Sequence, residues 1–264
     1  MSLRFDQYQS TLYESASKLW GGARIPIPLR PICHQLGVRG IRRDKLDGPK
    51  SLLVDASRKP VIILNESLTV TGHLRQRFTK LERFLIAHEL GHLVLHQLGA
   101  RNPSGPSEYW KVEKLCDEFA RRLLIPDQAV DSVADCARST AIDWLKATLQ
   151  LSKRCSVPWS VGARRLTDLN NRVIFLRVDP VVEDNGFKIV VSTGHNHQGV
   201  GQRIKPGTPL HGRFTGLRDF ADGPREIGAD DFSGIAGIGA IGSCAAYSFE
   251  ANVYLAVIPR ITPA

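Results

Sequence analysis

Apolar residues recur at intervals of three and four positions through roughly the first two thirds of the chain, a spacing typical of helices that bury one face. The spacing predicts an amphipathic helix over 6–20, a short helix near 29–36, and a long helix from about 74 to 97 that contains one glycine and no proline. A further helix is predicted to end at Pro126, with Ser107 as the candidate N-cap residue at its start.

Two other stretches interrupt this helical pattern. Short apolar runs at 51–54 and 61–64 flank a polar turn that ends at Pro60, which predicts a β-hairpin. Residues 127–170 have helical spacing again, but a polar break at 152–158 separates two predicted helices, the second with a basic face. A helix, a tight break and a second helix resemble a helix-turn-helix.

From Arg172 onward the pattern becomes that of β-strands. Runs of β-branched and aromatic residues alternate there with Gly, Asn, Asp and Pro. Together, these patterns predict an α+β protein. We expect a mostly helical domain with a small β-hairpin or sheet over 1–135, a helix-turn-helix-like segment over 136–171, and a β-rich domain over 172–264.

Composition and charge narrow the choice of partners. Of the 264 residues, 42% are hydrophobic, which is enough to form sizeable cores. The formal net charge of +9 lies entirely in residues 1–171, with 26 Lys and Arg against 17 Asp and Glu, whereas residues 172–264 balance at 9 against 9. A basic first part favours an acidic partner such as DNA or an acidic protein, although a scattered, solvated basic surface would give the same count.

The sequence also indicates a compartment. It contains no apolar run of roughly eighteen residues, and its start, "MSLRFDQYQS", lacks the apolar core of a signal peptide, so we expect a cytoplasmic protein without a membrane span. The cysteines are odd in number and never arranged as CxxC, so we expect reduced, mostly buried thiols. They are Cys33, Cys116, Cys136, Cys155 and Cys244.

The stretch "AHELGH", residues 87–92, carries the strongest chemical signal in the chain. Residues four apart lie on one side of a helix, so His88 and His92 can chelate a single ion. Glu89 then lies beside that ion, where it can take a proton from a metal-bound water without being a ligand itself. A catalytic zinc site needs three protein ligands and an open fourth position, so a third ligand must come from elsewhere.

The downstream helix offers a candidate for this third ligand. In the thermolysin-like arrangement, the ligand is a glutamate from a following helix, and a nearby acid orients an imidazole. Glu113 and Asp117 lie four apart on one predicted face, so Glu113 could reach the metal while Asp117 accepts the spare ring N–H of His88 or His92. Alternatively, both acids are solvent-side charges among neighbouring lysines and arginines.

These two blocks resemble the ImmA/IrrE metallopeptidase family. "RFLIAHELGHLVLH" at 83–96 and "EKLCDEFARRLLIP" at 113–126 are similar to the family's "RFTxAHELGHxxLH" and "ExxANxFAxxLLMP". The departures are Leu85 for threonine, Asp117 for asparagine and Ile125 for methionine, and none of them removes a ligand. A peptidase domain, a helix-turn-helix and a β-rich domain in that order further resemble the IrrE-type radiation-response regulators, whose last domain is GAF-like.

The resemblance implies a zincin-like fold for the first domain and a gluzincin-type zinc peptidase activity. Whether manganese replaces zinc stays open at this point. It implies that Glu89 is the general base and then the general acid, and that the metal ligands are His88, His92 and Glu113. It also implies a protein substrate, a helix-turn-helix transcriptional repressor. Cleavage of that repressor would relieve transcriptional repression in a stress response, such as the response to DNA damage, or on a mobile-element signal.

Other candidate residues carry weaker signals. An oxyanion donor is still required, and His96 and Tyr109 are the candidates. His96 continues the row of histidines, but a straight helix cannot bring three imidazoles to one ion, so a supporting or packing role is expected for it. "HNH" at 195–197 and "GIGAIG" at 237–242 are interpreted as loops, since neither has the acidic neighbours or βαβ unit that a nuclease or dinucleotide site would need.

Two alternative functions stay open at this point. The chain could be a non-catalytic regulator that keeps zinc for folding and binds DNA or a protein partner through basic helices. A small-molecule ligand of the C-terminal domain could also gate cleavage. The general base favours an enzyme, because a structural zinc site has no need of one beside an open position. The basic residues in question are Lys153, Arg154, Arg164 and Arg165.

Overall fold

The computed structural model describes residues 5–48, 50–68, 78–100, 103–134, 140–168, 173–181, 185–193, 202–205, 207–208, 212, 214–216, 223–227, 241–249 and 252–259. Over these residues the chain is an α+β protein with two sheets, as the sequence predicts. It divides into one compact unit of residues 1–129 and 151–158 and another of 130–150 and 159–264. The domain boundaries after residues 135 and 171 stay predictions. None of the described helices combines the length and apolar composition that a membrane span needs.

The helices of the first unit pack around a central one. They are α1 (Phe5–Trp20), α2 (Leu29–Gln35), α3 (Lys80–Gln97) and α4 (Pro106–Leu124). Helix α3 packs against each of the other three, and α1 also packs against α4. The core is aliphatic and aromatic, and its fully buried side chains include Leu12, Ala16, Ile86, Leu90, Phe119 and Leu123.

A capping box sets the start of α3. The Thr79 hydroxyl accepts from the backbone N–H of Glu82 at 3.1 Å, and the Glu82 carboxylate accepts from the backbone N–H of Thr79 at 2.8 Å. The Arg43 guanidinium donates to the other oxygen of Glu82 at 2.6 Å, so this buried carboxylate is paired. The helix therefore begins at Lys80, and the predicted start near residue 74 is wrong. The sequence signal for this helix start is the capping-box pattern "TKLE" at 79–82, which apolar spacing does not detect.

Helix α4 begins at Pro106. Proline suits the first helical position, because its missing N–H would have no partner there and its φ is already helical. Gly105, in an extended conformation, is the N-cap residue. Ser107 lies in the first turn, so the prediction that it caps the helix is wrong.

A three-stranded sheet lies against α3. Its strands are β1 (Gly40–Asp44), β2 (Ser51–Val54) and β3 (Val61–Asn65), in the order β1-β3-β2. The antiparallel pairing of β2 with β3 confirms the predicted hairpin, and α3 packs against both strands. Strand β1 pairs parallel to β3 and was not predicted, because "GIRRD" has a single apolar residue. Among the described strands, β2 pairs with β3 alone, so the backbone N–H and C=O groups on its outer edge are not paired with another described strand.

Three more helices follow, α5 (Asp127–Ala134), α6 (Ala141–Cys155) and α7 (Trp159–Thr167). The break between α6 and α7 is short, as predicted, and contains Ser156 at φ +54°. It spans only 156–158, so the predicted start at residue 152 is wrong, because 152–155 form the last turn of α6. The division between the two units passes through α6. Helix α7 belongs to the second unit, where the Trp159 ring meets that of Phe175 edge to face, 6.0 Å between centroids.

The second unit contains an antiparallel sheet, which confirms the β-rich C-terminal region. The pairing order is β6-β5-β4-β9-β8-β7, and the core of this unit is formed by side chains such as Leu176, Phe187 and Leu255. Residues 195–197 and 237–240 lie outside the described residues, but 241–242 begin β8, so that end of the expected glycine loop is a strand. The strands are β4 (Ile174–Val181), β5 (Gly186–Thr193), β6 (Arg203–Ile204), β7 (Arg225–Ile227), β8 (Ile241–Phe249) and β9 (Asn252–Pro259).

The described cysteines are free and buried, as expected, and Cys136 lies outside the described residues. Burial raises the pKa of both Cys33 and Cys155 to about 11. Such thiols are protonated at neutral pH and therefore unreactive.

Candidate metal centre

Helices α3 and α4 approach each other closely at Gly91. A Cβ atom at this position would lie 3.1 Å from the Cα of Cys116 and 3.2 Å from Cδ1 of Phe119. Ordinary carbon–carbon contacts are about 3.5–4.0 Å, so a larger residue would force the neighbouring helix to give by a few tenths of an ångström, and glycine allows the approach without this shift. The crossing places Glu113, which lies about one turn before Cys116 on α4, beside the histidines of α3.

The side chains of His88, His92 and Glu113 converge at this crossing. The Nε2 atoms of His88 and His92 are 3.1 Å apart; that of His88 lies 3.3 Å from Oε2 of Glu113, and that of His92 lies 3.3 Å from Oε1. Donors bound to zinc at ~2.0–2.1 Å with tetrahedral angles lie about 3.3–3.4 Å from one another. Each imidazole–carboxylate pair therefore has the separation of two zinc ligands, one donor atom from each of the three residues lies within 4.8 Å of the others, and among the described residues this is the group that could hold a metal ion.

The Asp117 carboxylate forms a hydrogen bond with the His88 ring on the side away from the cluster. Its Oδ1 atom lies 2.9 Å from Nδ1 of His88, so the ring N–H donates to the carboxylate and Nε2 faces the cluster. Burial lowers the pKa of His88, but hydrogen bonds with Asp117 and Glu113 outweigh it and raise the pKa to about 9. Hydrogen bonds from His88 and His92 hold the pKa of Glu113 far below its ordinary value. The centre is therefore arranged to stabilise positive charge.

Glu89 is buried next to this cluster and is not one of the converging donors. Only 5% of its surface is exposed, and its Oε1 atom accepts a hydrogen bond of 2.6 Å from the Ser51 hydroxyl on β2. Sequence analysis missed Ser51. No spacing rule could have found it, because 38 positions separate it from Glu89 and their contact depends on how the sheet packs on α3.

Tyr109 and His96, the two candidate oxyanion donors, occupy different environments. The negative charge of Glu113, followed by burial and a hydrogen bond with Glu113, raises the pKa of Tyr109. Its side chain is 47% exposed and meets the Trp110 ring edge to face. His96 is exposed on the last turn of α3 and is not part of the cluster.

The basic residues proposed for DNA contact also differ in exposure. Lys153, Arg154 and Arg164 are exposed, whereas Arg165 is only 2% exposed. A buried guanidinium cannot reach a phosphate, so Arg165 is withdrawn from that prediction. DNA contact by the other three stays a prediction.

Comparisons with known proteins concern both the first part of the chain and its overall fold. Residues 33–167, just over half of the chain, match the model of a family described as the IrrE N-terminal-like domain, Peptidase_M78. A solved structure, that of a Mycobacterium tuberculosis transcriptional regulator, is similar with a TM-score of 0.54 and 12% sequence identity, covering 97% of this chain and 90% of that one. At this identity the likeness concerns the fold. No curated protein sequence matches the chain significantly.

Proposed function

The chain belongs to the family of the IrrE N-terminal-like domain, Peptidase_M78, and from this premise we propose that it is a zinc-dependent endopeptidase with a regulatory protein substrate. Membership makes the chain a metallopeptidase-type hydrolase. The observation that carries the finer proposal is the convergence of His88, His92 and Glu113, whose donor atoms lie within 4.8 Å of one another, together with a carboxylate at the adjacent position 89.

The donor set fits zinc. Two imidazole nitrogens and one carboxylate oxygen are a common zinc-peptidase set, whereas manganese prefers sites dominated by oxygen donors. His88, His92 and Glu113 would hold the ion, and Asp117 would keep His88 in the tautomer that presents Nε2. When bound, zinc would polarise the scissile carbonyl and make a water molecule more acidic.

Glu89 is the proposed proton carrier. The Ser51 hydroxyl holds one oxygen of its carboxylate, which leaves the other oxygen to take a proton from the attacking water and return it to the leaving amine. Tyr109 is the proposed donor to the oxyanion that develops on the substrate, because it interacts with Glu113 and is partly exposed to solvent. His96 is not proposed for this role, since it lies on the exposed last turn of α3.

An extended peptide is the substrate form that we propose. Strand β2 carries Ser51 at one end, and its outer edge could pair with a substrate strand through backbone hydrogen bonds. Leu52 and Val54 on this strand are 43% and 38% exposed. The proposed substrate is a helix-turn-helix transcriptional repressor cleaved in a stress or mobile-element response. The resemblance to the ImmA/IrrE family supports this choice, and the similarly folded mycobacterial protein is described as a transcriptional regulator.

The test combines metal analysis with a cleavage assay on the helix-turn-helix repressor encoded beside this gene. Glu89→Gln should retain zinc at one ion per chain and lose cleavage by at least ~10²-fold, because the proton carrier is gone while the ligands remain. His88→Ala should lose both. Glu66→Gln, which removes the same charge from an exposed turn, is the matched control and should keep both.

The same variants separate the enzyme from a non-catalytic regulator. If Glu89→Gln preserves the biological response while His88→Ala abolishes it, zinc serves folding and the peptidase proposal is wrong. If wild-type protein with bound zinc leaves the neighbouring repressor intact but cleaves another regulator in a Glu89-dependent manner, the hydrolase stands and the choice of substrate is wrong.

A further inference from the structure

A second concave site lies in the first unit, away from the proposed metal ligands. It is a cavity of about 360 Å³ bounded by α2, the turn that follows it, the start of β1 and the residue before Thr79. Ligand pockets commonly measure ~300–1,000 Å³, so this cavity has the size of a small-molecule site. Its wall includes Arg30, Cys33, His34, Arg39, Ile41 and Phe78.

The polar groups of this cavity are cationic or potentially cationic. Arg30 and His34 are four apart on α2 and so share a face, and Arg39 enters from the turn before β1. Among the described residues, no carboxylate lies within ion-pair distance of Arg30 or Arg39. The neighbouring Arg43, by contrast, is paired with Glu82. Within the described part of the chain, the cavity therefore presents two guanidinium groups without an acidic partner.

The wall of the cavity is held in place by backbone hydrogen bonds. The N–H groups of Gly37 and Val38 donate to the carbonyls of His34 and Cys33 at 3.0 and 2.8 Å, and the N–H of Arg39 donates to the Pro60 carbonyl at 2.8 Å. Gly37 adopts φ +81°, which glycine allows without strain. The site is thus largely formed before any ligand binds, which limits the entropy lost on binding.

One side of the cavity is apolar. Ile41 and the Phe78 ring contribute to the wall, and the Phe78 centroid lies 6.0 Å from the guanidinium carbon of Arg30 and 5.8 Å from that of Arg43. Cys33 also lines the cavity, but burial raises the pKa of its thiol to about 11, which leaves it protonated at neutral pH. The cavity is therefore suited to reversible binding of a ligand that joins an anionic group to a flat apolar one.

We propose that this cavity binds a phosphorylated ligand of mononucleotide size, with its phosphate on Arg30 and Arg39 and its base against Ile41 and Phe78. Guanidinium groups match the geometry of phosphate oxygens and bind them with pairs of N–H donors. The open cavity has room for one nucleotide unit, which is either a free nucleotide or the phosphorylated end of a nucleic acid. Both sources share the same chemistry at the cavity.

The test measures binding to the zinc-loaded full chain by equilibrium dialysis and titration calorimetry. The probes are 5′-AMP, adenosine, inorganic phosphate, and one DNA oligonucleotide with and without a 5′-phosphate. Arg30→Gln and Arg39→Gln should each weaken 5′-AMP binding about 10- to 100-fold, the loss expected for a charge-assisted hydrogen bond. Arg58→Gln, which removes an exposed arginine from the turn before β3, is the control and should change binding less than about twofold.

Each outcome decides the proposal. Adenosine should bind more weakly than 5′-AMP, and equal binding would remove the phosphate from the explanation. Absence of binding by all probes at millimolar concentration, or an equal loss in Arg58→Gln, would overturn the proposal. If the phosphorylated oligonucleotide binds more tightly than 5′-AMP and depends on Arg39, the source is a nucleic-acid end; if 5′-AMP binds more tightly, it is a free nucleotide. Circular dichroism and zinc content should match wild type in all variants.

Discussion

Gly91→Ala is expected to weaken zinc binding although it replaces no ligand. The added methyl group would lie 3.1 Å from the Cα of Cys116 and 3.2 Å from its Cβ. A backbone Cα atom cannot rotate away as a side chain can. The two helices must therefore separate, and α4 carries Glu113 with it, away from His88 and His92.

The magnitude follows from the distances. Restoring an ordinary carbon–carbon contact of about 3.5–4.0 Å requires a separation of roughly half an ångström. Overpacking of this kind costs about 1–3 kcal/mol, and the better helix propensity of alanine returns about 1 kcal/mol. The net loss in the free energy of unfolding should be about 0–2 kcal/mol. Zinc–ligand distances tolerate only about 0.2 Å, so we expect zinc affinity to fall at least ~10-fold.

Competition with a chromophoric chelator at pH 7 measures the affinity, and thermal unfolding of the zinc-free protein measures the stability. Gly105→Ala is the matched control, because it adds the same methyl group to the N-cap of α4 where no atom lies within 4 Å. Its zinc affinity should stay within about twofold of wild type. Wild-type affinity in Gly91→Ala would refute the idea that the helix crossing sets the position of Glu113.

Three further results are expected. Ser51→Ala should lower kcat about 10- to 100-fold with KM and zinc affinity unchanged, because Glu89 loses a charge-assisted hydrogen bond of 2.6 Å, and Ser51→Thr should restore kcat; an active alanine variant would contradict this. Asp117→Ala should weaken zinc binding about 10- to 100-fold in the chelator assay, and unchanged affinity would show that its contact with His88 does not orient the ring. Zinc at about 100 times its dissociation constant should stabilise wild type by about 2.7 kcal/mol in calorimetry and leave His88→Ala unchanged; equal stabilisation of both would place the ion elsewhere.

Apolar spacing along the chain was sufficient to locate the main helices and the hairpin, but not the residues at which the helices begin. The predicted hairpin and the long helix are confirmed, because apolar spacing reports which face is buried. The start of α3 depends instead on the reciprocal hydrogen bonds of Thr79 and Glu82, and that of α4 on the fixed φ of Pro106. Strand β1 was not predicted. Its side chains are mostly charged, and the strand is stabilised by its pairing with β3, which cannot be recognised from the residues of β1 alone.

Spacing along the chain was also sufficient for most of the candidate metal centre. His88 and His92 share a helix face whatever surrounds them, and the pattern around Glu113 pointed to a partner on the next helix. Ser51 and the role of Gly91 lay beyond such reasoning, because both concern contacts between elements distant in the sequence. The exposure of His96 and the burial of Arg165 could not be predicted either, since burial depends on what packs against each side chain.

The amino-acid sequence by itself determined most of the elements and the donor types, because helical periodicity and ligand spacing are local properties of a chain. Whether the donors meet, how far apart they lie and what holds the neighbouring carboxylate are questions of packing. Only the tertiary structure decided them, through a glycine that lets α4 approach α3 and a strand that brings a hydroxyl to Glu89. Such contacts depend on how side chains from distant segments pack together, and a short stretch of sequence does not contain that information.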